Sequence, residues 1–133
     1  MASDLSLAIP RLFRVIVPVT DSDKAAQFYG SVLGFPGERV SPNRHYFDCR
    51  GTILACLEPR DGSGVVVNSE PISFAVPDLD EIYHRATQAG CQWLDEHIEV
   101  QHWGERAFFA GDPFGNPICF VDEKTRFIGT SSA

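Results

Sequence analysis

Side chains able to do chemistry are sparse in this chain, and their spacing excludes as much as it suggests. Cys49, Cys56, Cys91 and Cys119 show neither Cys-x-x-Cys spacing nor histidines at zinc-finger intervals, and three of them sit in strand-like runs. That pattern predicts reduced, mostly buried thiols of a cytosolic protein, not a disulfide framework. His102, beside Trp103, has an imidazole that titrates near neutral pH, and it reads either as an acid–base group or as a solvated loop residue. Tyr46, Trp93, Trp103 and Phe108 offer flat apolar surface, either as a wall for a planar ligand or as core. Glu105 and Arg106 read as an exposed or cross-strand ion pair, and His84 and His97 as surface residues without a role.

The elements that must position these groups occur twice. Val19-Thr20-Asp21-Ser22-Asp23 is echoed by Val76-Pro77-Asp78-Leu79-Asp80, each after an apolar run and before a helical pattern closed by glycine. Leu12 to Val19 reads as a strand. Asp21 caps a helix with Ala25, Phe28, Tyr29 and Val32 at helical spacing, and Gly34 stops it. In the second copy Ile72 to Val76 is the strand, Asp78 the cap, Leu79, Ile82, Tyr83 and Ala86 the buried stripe, and Gly90 the stop. Three further strand-like runs follow each helix: Gly37–Val40, Arg44–Cys49 and Thr52–Leu57, then Gln92–His97, Arg106–Ala110 and Pro117–Glu123. Asp112-Pro113-Phe114-Gly115-Asn116 carries hairpin chemistry.

The predicted fold is therefore α+β: two tandem βαβββ modules whose curved mixed sheets surround a central cavity, with the helices on the outer face. A length of 133 residues suits one domain, with module one at about 11–58, a linker at 59–70 and module two at about 71–123. The tail from Gly129 to Ala133 is expected to fray. A formal net charge of −7, with no local Lys/Arg cluster, argues against nucleic acid and anionic membranes as partners. No apolar run approaches the roughly 20 residues of a membrane span, and Met1-Ala2-Ser3-Asp4 lacks the basic start of a targeting signal, so a cytoplasmic protein is expected.

At this point the motifs become familiar. Asp21-Ser22-Asp23-Lys24-Ala25-Ala26-Gln27-Phe28-Tyr29 and Val32-Leu33-Gly34-Phe35 resemble the opening module of the vicinal oxygen chelate superfamily. Trp103-Gly104, Phe108-Phe109 and Asp112 to Asn116 look like the close of its second module. The superfamily includes glyoxalase I, extradiol dioxygenases, and fosfomycin- and bleomycin-resistance proteins. The resemblance covers about Leu12 to Glu123 and implies an architecture and a ligand scale more than a reaction.

Metal-dependent members hold a divalent ion with His, Gln or Glu from the first and last strand of each module, leaving positions on which substrate oxygens chelate. Counted from the motifs, those four positions carry Arg14, Ala55, Pro71 and Cys119 here. Arginine has no lone pair to give, alanine and proline have no donor atom, and one soft thiolate does not hold a hard ion. His45 and His102 remain candidates for an improvised site.

The resemblance points Arg14 into the cavity, where its guanidinium would pair either with a ligand carboxylate or phosphate or with a protein carboxylate such as Asp48. Cys119 reads as a small core thiol more readily than as a nucleophile, since no histidine is placed to activate it. The expected function is small-molecule binding without metal or other cofactor, in the manner of a resistance protein, with Arg14, Tyr46, Trp103, Phe108 and Cys119 as ligand-contacting residues. The alternative is a lyase, isomerase or dioxygenase with a reorganised divalent-metal site, or a metal-free catalyst using Cys119, His102 or Glu105. A third reading is a scaffold with a vestigial cavity. The expected partner is a small molecule, with an anion as one option, and the assembly a homodimer, because two half-open sheets need cover.

Overall fold

The computed structural model describes residues 8–61 and 64–129; Met1-Ala2-Ser3-Asp4 and the last four residues of the tail expected to fray lie outside them. The first module runs β1 (Arg14–Pro18), α1 (Ser22–Leu33), β2 (Glu38–Ser41), β3 (Arg44–Cys49) and β4 (Thr52–Leu57). The second runs β5 (Ile72–Val76), α2 (Leu79–Ala89), β6 (Trp93–Leu94), β7 (Glu99–Val100), β8 (Arg106–Gly111) and β9 (Pro117–Asp122). Each module makes a mixed sheet. The first has the order β1-β4-β3-β2, and the second β5-β9-β8-β6 with β7 also on β8; the β1–β4 and β5–β9 pairs are parallel.

The helices start and stop where side-chain chemistry dictates. The Asp21 carboxylate accepts from the Asp23 and Lys24 amides, satisfying donors that the first turn leaves orphaned. Gly34 then takes φ +90°, and its N–H closes on the Gly30 carbonyl. Asp78 caps α2 through the Glu81 amide. The buried faces are Ala25, Phe28, Tyr29 and Val32 on α1, and Leu79, Ile82 and Ala86 on α2, with Tyr83 partly buried beside them.

One expected strand is absent as such. Of Gln92–His97 only Trp93–Leu94 (β6) forms a strand, because Asp95 interrupts the ladder, and the short β7 lies beyond it at Glu99–Val100. Its amide bonds the Phe109 carbonyl at 3.0 Å, but its own carboxylate takes the Phe109 amide at 2.8 Å, and its carbonyl is drawn to the Tyr83 hydroxyl at 2.6 Å. A side chain thus replaces the backbone acceptor that would have extended the strand.

Strand side chains alternate between two faces. Val17, Val19, Phe47, Leu54 and Cys56 of the first sheet share one core with Phe108, Ala110, Ile118 and Phe120 of the second, on the side that both helices cover. Several polar contacts tie the modules together around this core, among them Arg85 Nη1 donating to the Val32 carbonyl at 3.3 Å. Tyr29 Oη donates to Asp112 at 2.7 Å, and Asn116 Nδ2 donates to the Pro18 carbonyl at 2.7 Å. Asn68 Nδ2 reaches the Ile16 carbonyl at 3.3 Å, and Arg50 pairs with Glu123 at 2.8 Å. The opposite, inner face of each sheet therefore points away from the shared core.

Candidate functional site

On the first module's inner face, register aligns Arg14 with Ile53 and Asp48, and Ile16 with Ala55, Tyr46 and Glu38. Ala55 is 1% exposed and forms a small floor, whereas Phe13, Arg14 and Ile16 stand in solvent. The Arg14 guanidinium carbon lies 4.8 Å from the Phe13 ring centroid and 5.5 Å from that of Tyr46. It has no carboxylate partner among the described residues. Asp48, the partner considered from the sequence, instead accepts the Gly51 amide at 2.8 Å within its hairpin. Tyr46 Oη is engaged by Arg44 Nη1 at 3.0 Å.

On the second module's inner face, Ala107, Cys119 and Val121 pack with Phe109, and Ser73 sits beside Cys119 in the ladder. Burial pushes the Cys119 thiol up to about 11; the Ser73 hydroxyl lowers it, and Glu105 and Asp95 raise it further. That shift favours the protonated thiol over the thiolate at neutral pH. Trp103, on the loop before β8, is 42% exposed; its indole N–H donates to Glu105 Oε1 at 2.6 Å, and His102 packs edge-on against it.

Phe108 requires a correction. It is fully buried on the helix side, edge-to-face with Tyr83 and stacked on Phe120, so it builds core and does not line the inner face. Its neighbour Phe109 faces inward instead. In a Phe-Phe pair the two rings must take opposite faces, and only the small residues at Ala107 and Gly111, in step with Phe109, signal which. Glu38 is a further inner-face residue missed from the sequence.

His45 also lies in the core, against Phe47, with Nε2 2.8 Å from the Pro36 carbonyl. It does not join His102, which sits on a loop of the other module. The family's metal positions thus present a guanidinium, a methyl, a proline and a protonated thiol, and among the described residues no three His, Cys, Asp or Glu side chains group as ligands. These residues do not fit a divalent cation.

Two cavities border the first module. The larger, about 550 Å³, runs from the end of α1 and the β3–β4 hairpin to β5, and includes none of Arg14, Tyr46, Trp103, Phe108 and Cys119. The smaller, about 370 Å³, takes in Tyr46 with Glu38, Asp48, Ile53 and Phe35. The structure brings Arg14 and Tyr46 together on one module, and Cys119 and Trp103 occupy the other.

Two tandem βαβββ modules with open mixed sheets define the glyoxalase-like fold class. The chain belongs to the Glyoxalase/Bleomycin resistance protein/Dioxygenase superfamily, whose profile matches residues 11–120. No curated protein matches it. Among solved structures, it is similar to a glyoxalase/bleomycin resistance protein from Albidiferax ferrireducens, at 21% identity and TM-score 0.71, over 83% of this chain and 97% of that one. A superfamily member from Sphaerobacter thermophilus is 28% identical with TM-score 0.65, over 86% and 98%. The bleomycin resistance determinant of transposon Tn5 is 19% identical with TM-score 0.67, over 86% and 99%. Among the described residues no helix is long and apolar enough to cross a membrane.

Proposed function

We propose that this protein binds a small anionic or strongly polar molecule on its inner faces without the superfamily's metal, acting as a binding or resistance-type protein. The observation that carries this reading is Arg14. At a position where relatives place a metal ligand, the chain places a cation, held on two aromatic faces and left without a carboxylate. A guanidinium so oriented keeps its N–H edges for a bidentate oxygen ligand. A homodimer would complete the site, since Arg14 and Tyr46 stand on one module and Cys119 and Trp103 on the other, each on a face turned from the common core. The free thiols suit a reducing cytosol.

The test is thermal unfolding of protein purified without chelator, with benzoate or inorganic phosphate, in the presence and absence of EDTA. Anion-dependent stabilisation that survives EDTA and disappears in Arg14→Gln is expected. Metal at near one equivalent, or turnover of an α-hydroxythiol, epoxide or catechol that requires added divalent cation, refutes the reading.

A further inference from the structure

β1 and β5 are the same strand of the repeat, and each ends its sheet with a single neighbour, β4 or β9. Their free edges differ. The outward carbonyls of β1 are taken by side chains, that of Ile16 by Asn68 Nδ2 at 3.3 Å and that of Pro18 by Asn116 Nδ2 at 2.7 Å. On β5 the Val76 carbonyl accepts the Glu123 amide at 3.0 Å, which turns the backbone of Ile72, Phe74 and Val76 toward β9 and that of Ser73 and Ala75 outward. The backbone groups of Ser73 and Ala75 have no hydrogen-bond partner among the described residues. Pro71 and Pro77, next in the same alternation, carry no N–H, so the open edge offers two donors and ends at a proline on each side.

The 550 Å³ cavity runs along this edge: six consecutive residues, Ile72 to Pro77, line it, which places it beside the strand and not over one face. Module one supplies an apolar wall of Val15, Leu33, Phe35 and Leu54. The charged residues at its border are already engaged, Asp48 by the Gly51 amide and Arg50 by Glu123, so an uncharged occupant matches it. With a rise of about 3.3 Å, a strand spacing of about 4.8 Å and a layer spacing of about 10 Å, one extended residue fills about 160 Å³, and the cavity holds about three. That is the length the two prolines leave open. We propose that β5 receives an extended, uncharged peptide segment, which pairs with Ser73 and Ala75 and turns a large apolar side chain into the cavity. A folded partner or a second copy would need about 1,200 Å² or more of interface, whereas three residues bury only a few hundred; a second copy would also present its own β5 set back in the same cleft.

Titration calorimetry of the full chain with the capped peptide acetyl-Gly-Val-Phe-Val-Gly-amide is expected to show saturable binding, weakened about tenfold or more when its phenylalanine is replaced by serine. Methylating the phenylalanine amide, or the two valine amides, blocks opposite edges of the same peptide; one pattern should abolish binding and the other change it by less than about threefold. Ala75→Pro removes an outward donor and no bond to β9, and with circular dichroism confirming the fold it should weaken the unmethylated peptide about fivefold or more. No binding to the wild type, equal losses from both methylation patterns, or binding indifferent to Ala75→Pro overturns the proposal. A dimer in sedimentation that dissociates in Ala75→Pro gives the edge to a second copy and overturns it as well. None of these readouts involves Arg14.

Discussion

The contact between Tyr29 and Asp112 joins the helix of one module to the hairpin of the other, and its removal tests how the two modules are held. Asp112 is fully buried and has no ion-pair partner among the described residues; its carboxylate is satisfied by Tyr29 Oη at 2.7 Å, the Phe114 and Asn116 amides at 2.9 and 2.8 Å, and Asn116 Nδ2 at 2.9 Å. Tyr29→Phe deletes only the first of these, with little change in volume. A hydrogen bond to a charged acceptor is worth about 1.5–3 kcal/mol, and the stranded lone pair sits where no water reaches, so a loss of about 2 kcal/mol is expected. With an unfolding entropy of about 2.1 cal/mol/K per residue, a chain of 133 residues loses roughly 7 °C in melting temperature. Circular dichroism melts and urea titrations of wild type and Tyr29→Phe give both numbers. A loss below about 0.5 kcal/mol would mean that this bond adds little to joining the modules and that the buried carboxylate finds its fourth partner elsewhere.

Three more perturbations have definite signs. Arg14→Ala without ligand should change stability by no more than about 1 kcal/mol, the value of an exposed cation–π contact; a loss of 3–5 kcal/mol in urea unfolding would reveal a carboxylate partner. Gly37→Ala should cost about 2 kcal/mol or more, because φ is +63° and the new methyl would lie 2.6 Å from the Tyr46 carbonyl oxygen. Gly51→Ala, at φ +106° but in open space, should cost only about 1 kcal/mol, so equal melting temperatures for the two would contradict the steric argument. Burial raises the thiols of Cys56 to about 12 and Cys119 to about 11, above the roughly 8.5 of an unfolded cysteine. The folded state keeps protons that the unfolded chain releases, so this stabilisation is complete below about pH 8.5 and is lost as pH rises toward 11 and 12. A urea midpoint that fails to drop between pH 8 and pH 10.5 would contradict it.

Most of the architecture was legible because local rules agree with the tertiary outcome. Asp21 and Gly34 bracket α1, and Asp78 and Gly90 bracket α2, through hydrogen bonds that need no distant partner. The repeat announced that whatever the first module did the second would attempt. Legibility failed where a distant side chain decides. Asp95 breaks the run after α2 by bonding to a residue fourteen positions on, and nothing local to it reports that. Phe108 was assigned to the ligand and Phe109 overlooked because adjacent identical rings carry no periodic signal. Arg14 was singled out by its place in the family's pattern; its neighbours Phe13 and Tyr46 depend on χ angles that sequence does not encode. Glu38 reaches the same surface only through the ladder between β2 and β3.

The separation of faces also bears on how such a protein changes over generations. Along β1, Val17 and Val19 enter the core while Arg14 and Ile16, on the alternate beat, stand outside it. Residues that build the core and residues that stand outside it are interleaved one by one, on opposite faces of the strand. Exchanging an outward residue redraws what the surface recognises while the melting temperature hardly moves, and exchanging its neighbour does the reverse. A surface built this way can change in single steps without passing through an unfolded intermediate form.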